Sequence, residues 1–156
     1  MAVIAARLPV HAWPDRALSL VAVDAHTGQS RIFTRDCGVG LVDAVAASCA
    51  VPGIWPPVTI GATRYIDGGV QPTSNVDLAV GYPMVLLLAP LVDSWLDSQL
   101  TELTQNNSRV EVILPDENSL TTFGLTPLDS DTRTPAGRAG RAQGHQTAIT
   151  ITALWN

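Results

Sequence analysis

Hydrophobic and polar positions change period several times along the chain, and each change predicts an element. Residues 18–23 are apolar apart from Ser19 and partly β-branched, which predicts a buried strand. Asp24 to Gly28 carries turn residues. Residues 30–34, Ser-Arg-Ile-Phe-Thr, mix polar and apolar positions after that turn and predict a second strand paired with the first. Over residues 40–50 the period becomes helical, with Leu41, Val42, Val45, Ala46 and Cys49 as its apolar positions. Small side chains dominate that stretch, which lets a helix lie close to a sheet. Pro52 and Gly53 end it, and Pro56-Pro57 imposes an extended segment. Residues 58–60 and 64–66 flank Gly61-Ala62-Thr63 and predict a hairpin. Asn75 is expected to cap a short helix over 76–80, with Asp77 in its first turn.

In the second half, the apolar run 84–89 predicts a buried strand of the kind found in parallel sheets. Residues 94–105 predict a surface helix with Trp95, Leu96, Leu100 and Leu103 inward. A strand over 109–114 and a short helix or turn over 116–123 follow. Thr134 is expected to cap a last helix with Pro135 at its first position. The glycine-punctuated AGRAGRAQG at its start is a weak helix former, and the β-branched TAITITALW after it leaves the helix end open. Strands and helices alternate from Leu18 onward, so the expected class is α/β, a layered sheet with flanking helices. Neither a repeat nor a linker divides the sequence.

Composition narrows the function classes. Hydrophobic residues make up 46% and charged residues 15%, which excludes disorder by low hydrophobicity and high charge. Net charge is -5, and all nine basic residues are arginines scattered along the chain. Nucleic-acid partners are not expected, because phosphate contact needs a clustered basic face. Cys37 and Cys49 are expected to be reduced and buried. Their spacing, and that of His11, His26 and His145, fits no metal pattern; no metal and no cofactor are expected. The apolar start is cut by Arg7 and Pro9, too early for a signal peptide. The longest apolar run, 84–92, is far short of the ~20 residues of a membrane helix, and a cytoplasmic location is expected.

Candidate chemistry centres on Asp67-Gly68-Gly69. Asp-Gly is first a turn signal. Here it ends a predicted strand, which places the carboxylate at a sheet edge, and the two glycines let backbone approach closely. A carboxylate activates a hydroxyl nucleophile only within hydrogen-bond reach. The chain contains no Gly-x-Ser-x-Gly, the strand-turn-helix elbow that exposes a nucleophilic serine.

The run AASCAVPG at 46–53, then Pro56-Pro57, Tyr65-Ile-Asp-Gly-Gly-Val70, Asn75 and Asp77-Leu-Ala79 resembles the patatin-like phospholipases in order and spacing. The resemblance covers about residues 18–88, and the tail with AGRAGRAQG is similar to bacterial members. It implies hydrolysis of lipid or other carboxylic esters by a Ser-Asp dyad without histidine. Asp67 matches the catalytic Asp, and Gly68 and Gly69 complete its motif. The family's serine elbow and glycine-rich oxyanion loop lie upstream of the matched region, so residues 1–156 are expected to be the C-terminal portion of such a domain. Residues 2–13 then resemble the end of a linking helix. Where family members often have proline after the Asn, this chain has Val76.

Other residues are weaker candidates. Ser48 sits mid-helix, where a backbone hydrogen bond is the ordinary role, and Ser30 and Ser74 lack elbow glycines. Gly38-Val39-Gly40 precedes a helix but lacks the third glycine and downstream acid of a dinucleotide site, so helix entry is its expected role. Trp13, Trp55, Trp95 and Trp155 are expected in core or subunit contacts, with Trp55 close to the acyl site if the resemblance holds. Arg138 and Arg141 are expected on a solvated helix face. The expected partners are a lipid or ester substrate, with transient membrane-surface contact and self-association through unpaired strand edges. A non-catalytic remnant or interaction module with the same fold is the alternative, and a nucleotide-binding module a distant third.

Overall fold

The apolar run at 18–23 becomes β1 (Leu20–Asp24), an inner strand of a four-stranded sheet. The computed structural model describes residues 2–71, 74–124, 126 and 128–155. They form two units, 1–75 and 76–156, in a mixed α/β architecture.

In the first unit, helix α1 (Ala2–Arg7) precedes β1, and β2 (Ser30–Phe33) follows it. Between the strands, Asp24 Oδ1 accepts the N–H groups of His26 and Thr27 and closes the turn. Helix α2 (Leu41–Ser48) and the hairpin β3 (Val58–Ile60) and β4 (Thr63–Asp67) complete the unit. The order is β2-β1-β4-β3 with every neighbour antiparallel. Alternation puts Ala22 and Phe33 on one face, where α2 covers them with Ala44 and Ala47. Ala44 and Ala47 are fully buried, so the small residues of α2 do bring helix and sheet together. Phe33 and Tyr65 meet edge to face at 5.3 Å. Trp13 Nε1 donates to the Val39 carbonyl at 2.8 Å, which fastens the segment before β1 to the entry of α2. Gly38 takes a left-handed conformation (φ 77°) and Gly40 is the α2 N-cap, so Gly38-Val39-Gly40 serves helix entry.

The second unit opens on a 3-10 turn (Val76–Ala79), then β5 (Met84–Leu88), α3 (Leu96–Gln105) and β6 (Arg109–Ile113). The strands pair in parallel, the register running from Met84 opposite Arg109 to Leu88 opposite Ile113. Val76, Leu96 and Leu103 are its buried core, with Val85, Leu87, Leu100 and Val110 packed on them. Helices α4 (Glu117–Phe123) and α5 (Arg133–Trp155) follow. Gln143 of α5 donates to the Leu114 carbonyl and accepts from Ser119 Oγ and the Asp116 N–H, joining α5 to the turn between β6 and α4.

Several expectations are corrected. Trp95 points outward, 60% exposed, because it precedes the first helical residue and falls outside the period of α3. β5 is half-buried, with Leu88 at its end 64% exposed. The last helix begins at Arg133, before Thr134 and Pro135. It is led by a 3-10 turn (Ser130–Thr132) whose first N–H groups are met by Asp129. AGRAGRAQG is helical throughout. Asn75 has φ 45°, a left-handed turn residue rather than an extended cap. Both cysteines are free thiols, but Cys37 is half-buried and Cys49 exposed at the α2 C-cap. Trp55 is 47% exposed; the side chain of Trp155 lies outside the described residues. No helix among the described residues is long and apolar enough to cross a membrane.

Candidate functional site

Asp67 is the last residue of β4, paired with Ala22 of β1. Its N–H donates to the Ala50 carbonyl at 3.1 Å, tying the strand end to the segment that leaves α2. The chain then turns through a single 3-10 turn (Gly68–Val70), and Asp67 Oδ1 caps it by accepting the Gly69 N–H at 2.7 Å. Four constraints therefore meet at one residue: the ladder to β1, the bond to Ala50, the tight turn and the cap. They fix the carboxylate at the sheet edge.

Gly68 shows why the motif needs its first glycine. A Cβ there would lie 2.4 Å from the Val21 carbonyl oxygen and 2.8 Å from its carbon. Both are backbone atoms of a strand held on two sides, so they have nowhere to move. Gly68 is buried. Asn75 reaches back to the Gly68 carbonyl with Nδ2 at 3.5 Å, a long contact.

Cys49 lies close enough to Asp67 to respond to its charge. Although the residue is exposed as a whole, desolvation by the atoms packed around its sulfur, and after it the negative charge of Asp67, pushes the Cys49 thiol up from its ordinary value. At neutral pH it is a protonated thiol and a poor nucleophile. Beside it, a cavity of about 390 Å³ is lined by Val3, Ile4, Arg7, Ala46, Cys49 and Trp55, among others. Sequence reasoning gives Trp55 some weight but none to Cys49 or Arg7. Spacing puts Cys49 on the apolar face of α2, and nothing in the period shows that the helix stops just before it.

Chemically, one carboxylate oxygen is held by Gly69, and Oδ2 accepts no hydrogen bond from the described residues. A hydroxyl brought to Oδ2 would meet an oriented proton acceptor. Among the described residues no serine does so. Ser30 Oγ, at the start of β2, donates to Gln71 Oε1, Ser48 is on α2, and neither Ser48 nor Ser74 bonds to Asp67. The structure therefore brings together Asp67, Gly68 and Gly69, and leaves the serine candidates apart from them.

No curated protein matches the chain. Residues 8–80, the stretch that carries β1 to β4, α2 and the Asp67 turn, match the family model of the patatin-like phospholipases.

Proposed function

We propose that Asp67 is the base of a Ser-Asp dyad in a hydrolase of lipid or other carboxylic esters. In this reading the 156 residues are the C-terminal portion of a patatin-like domain, and the serine elbow and oxyanion loop come from residues outside this sequence. The match over residues 8–80 supports a lipid acyl hydrolase family, and with it a lipid or ester substrate. The observation that carries the assignment of Asp67 is the convergence on one carboxylate residue of the ladder to β1, the bond to Ala50, the tight turn and the Gly69 cap.

Asp67 Oδ2 takes the proton of the serine hydroxyl as its oxygen attacks the ester carbonyl. The tetrahedral intermediate collapses, and the alkoxide leaving group departs with the proton that Asp67 returns. Water then enters against the same carboxylate, its oxygen joins the acyl carbon, and the serine is released with its proton restored. Gly69 holds Oδ1 throughout, so Oδ2 does not rotate away between the two halves. The proposed setting is a bacterial cytoplasm, with transient contact to a lipid surface and self-association of the chain.

The test is hydrolysis of a short-chain p-nitrophenyl ester. The chain alone is expected to be inactive. A form with an intact Gly-x-Ser-x-Gly upstream is expected to turn over and to lose about 10²–10⁴-fold of its rate in Asp67→Asn, the usual range for a positioned proton acceptor. A second reading, a non-catalytic module of the same fold, is favoured by the absence of any Gly-x-Ser-x-Gly in the 156 residues. Asp67-dependent hydrolysis by the purified chain would sink that second reading.

A further inference from the structure

The Asp67 turn is held at its entry by the bond to Ala50 and the close contact of Gly68 with Val21. Its exit is held too. Gln71 follows the 3-10 turn in an extended conformation, and its side chain reaches back to the β1–β2 hairpin. Nε2 donates to the carbonyl of Gly28, 43 residues earlier, and Oε1 accepts from Ser30 Oγ at 3.3 Å. One amide thus uses a donor and an acceptor on the same hairpin. Gly28 stands at φ 71°, a left-handed position that suits glycine. Its N–H donates to the Asp24 carbonyl at 2.9 Å, and the Asp24 N–H donates to the Gln29 carbonyl at 2.9 Å. The Ala25 N–H donates at 2.8 Å to the carbonyl of Arg64, a residue of β4. The hairpin turn is therefore fixed to the strand that carries Asp67.

From these bonds we infer that Gln71 is a positioning residue for the Asp67 carboxylate, acting through the Gly69 N–H. Gly69 lies between two anchors, Gly68 against Val21 and Gln71 on the hairpin turn. With both in place its N–H stays aimed at Asp67 Oδ1. With the exit released, the backbone after Gly68 regains rotational freedom, the Gly69 N–H leaves Oδ1, and the carboxylate turns. Gln71 is exposed, so changing it leaves the core as it is. The role in holding the turn needs only these bonds. The role in catalysis rests on Asp67 being the base.

The experiment is solvent exchange of the Gly69 amide, read by NMR on the purified chain and on Gln71→Met, which keeps the side-chain length and removes both hydrogen bonds. The amide of Ala44, fully buried and bonded to the Gly40 carbonyl, is the reference. Gln71→Met is expected to speed Gly69 exchange at least fivefold and to leave Ala44 unchanged. Ser30→Ala removes one bond of the two and is expected to speed it less. Unchanged Gly69 exchange in Gln71→Met overturns the inference. So does equal acceleration at Ala44, the mark of general destabilisation. In a form with an upstream Gly-x-Ser-x-Gly, Gln71→Met is expected to lower kcat about tenfold at unchanged KM, because a misplaced base loses rate and not substrate binding. In the Asp67→Asn background the same change is expected to cost nothing further. Full kcat in Gln71→Met, or an undiminished loss in the Asp67→Asn background, overturns the positioning role. An inactive parent form would count against Asp67 as the base, and Gly69 exchange would still decide whether Gln71 holds the turn.

Discussion

Asp67 and Asp116 use the same local device in the two units. Each accepts a backbone N–H at 2.7 Å from just downstream, Asp67 from Gly69 and Asp116 from Ser119. In the second unit the device caps α4 and does nothing else visible: that N–H holds the Asp116 carboxyl below its ordinary value. In the first unit the capped residue is also a ladder residue of β4, bonded to Ala50, followed by a glycine pressed on β1, and close enough to Cys49 to raise its thiol. A hydrogen-bonded carboxylate is therefore no mark of a site by itself. What sets Asp67 apart is the number of independent constraints that converge on it.

The glycines give the same contrast, and it is measurable. Gly68→Ala puts a methyl group against the Val21 backbone, so about 3 kcal/mol of destabilisation is expected, the upper end for overpacking. Urea unfolding checks it, and a loss within ~0.5 kcal/mol, the range of an ordinary surface change, would remove the basis for the close approach. In α5, a Cβ at Gly140 meets nothing within 4 Å. Gly140→Ala is therefore expected to stabilise by up to about 1 kcal/mol through helix propensity alone.

The charge contact between Asp67 and Cys49 predicts a smaller effect. Removing the carboxylate in Asp67→Asn is expected to lower the Cys49 thiol pKa and to speed its reaction with iodoacetamide severalfold at fixed neutral pH, read by peptide mass. An unchanged rate would separate the two residues. For Asp116 the expected effect is the smallest: Asp116→Ala lowers the melting temperature at pH 7 by roughly a few degrees, a typical loss for an N-cap. The carboxyl is lowered in the folded state, so its contribution is complete above the ordinary carboxylate value and disappears as pH falls through the lowered one. The difference between wild type and variant should accordingly vanish in strong acid.

The sequence was most legible where several local rules agreed. β1, the hairpin around Gly61 and α2 follow from apolar pattern plus turn residues, and the Asp-Gly-Gly motif marks the candidate site by its carboxylate and its strand end. It was least legible at element boundaries. Trp95 and Cys49 both belong to an apolar period by spacing, yet each sits one residue outside its helix, where the period no longer fixes direction. Thr134 and Pro135 carry a start signal, but Asp129 and a preceding 3-10 turn set the start earlier. Gly68 was expected to allow a close approach, but its partner, the Val21 backbone, is set by the strand order and not by neighbours in sequence. The cavity at Arg7 joins residues from α1, α2 and the proline segment, and no local pattern connects them.

The most direct test of the central claim is ester hydrolysis by a form that includes an upstream Gly-x-Ser-x-Gly, compared with its Asp67→Asn variant at equal folded concentration. The account predicts that the variant folds, because Asn keeps an oxygen for the Gly69 N–H, and that its turnover falls by about 10²–10⁴-fold. A folded variant with undiminished turnover would contradict the assignment of Asp67 as the catalytic base.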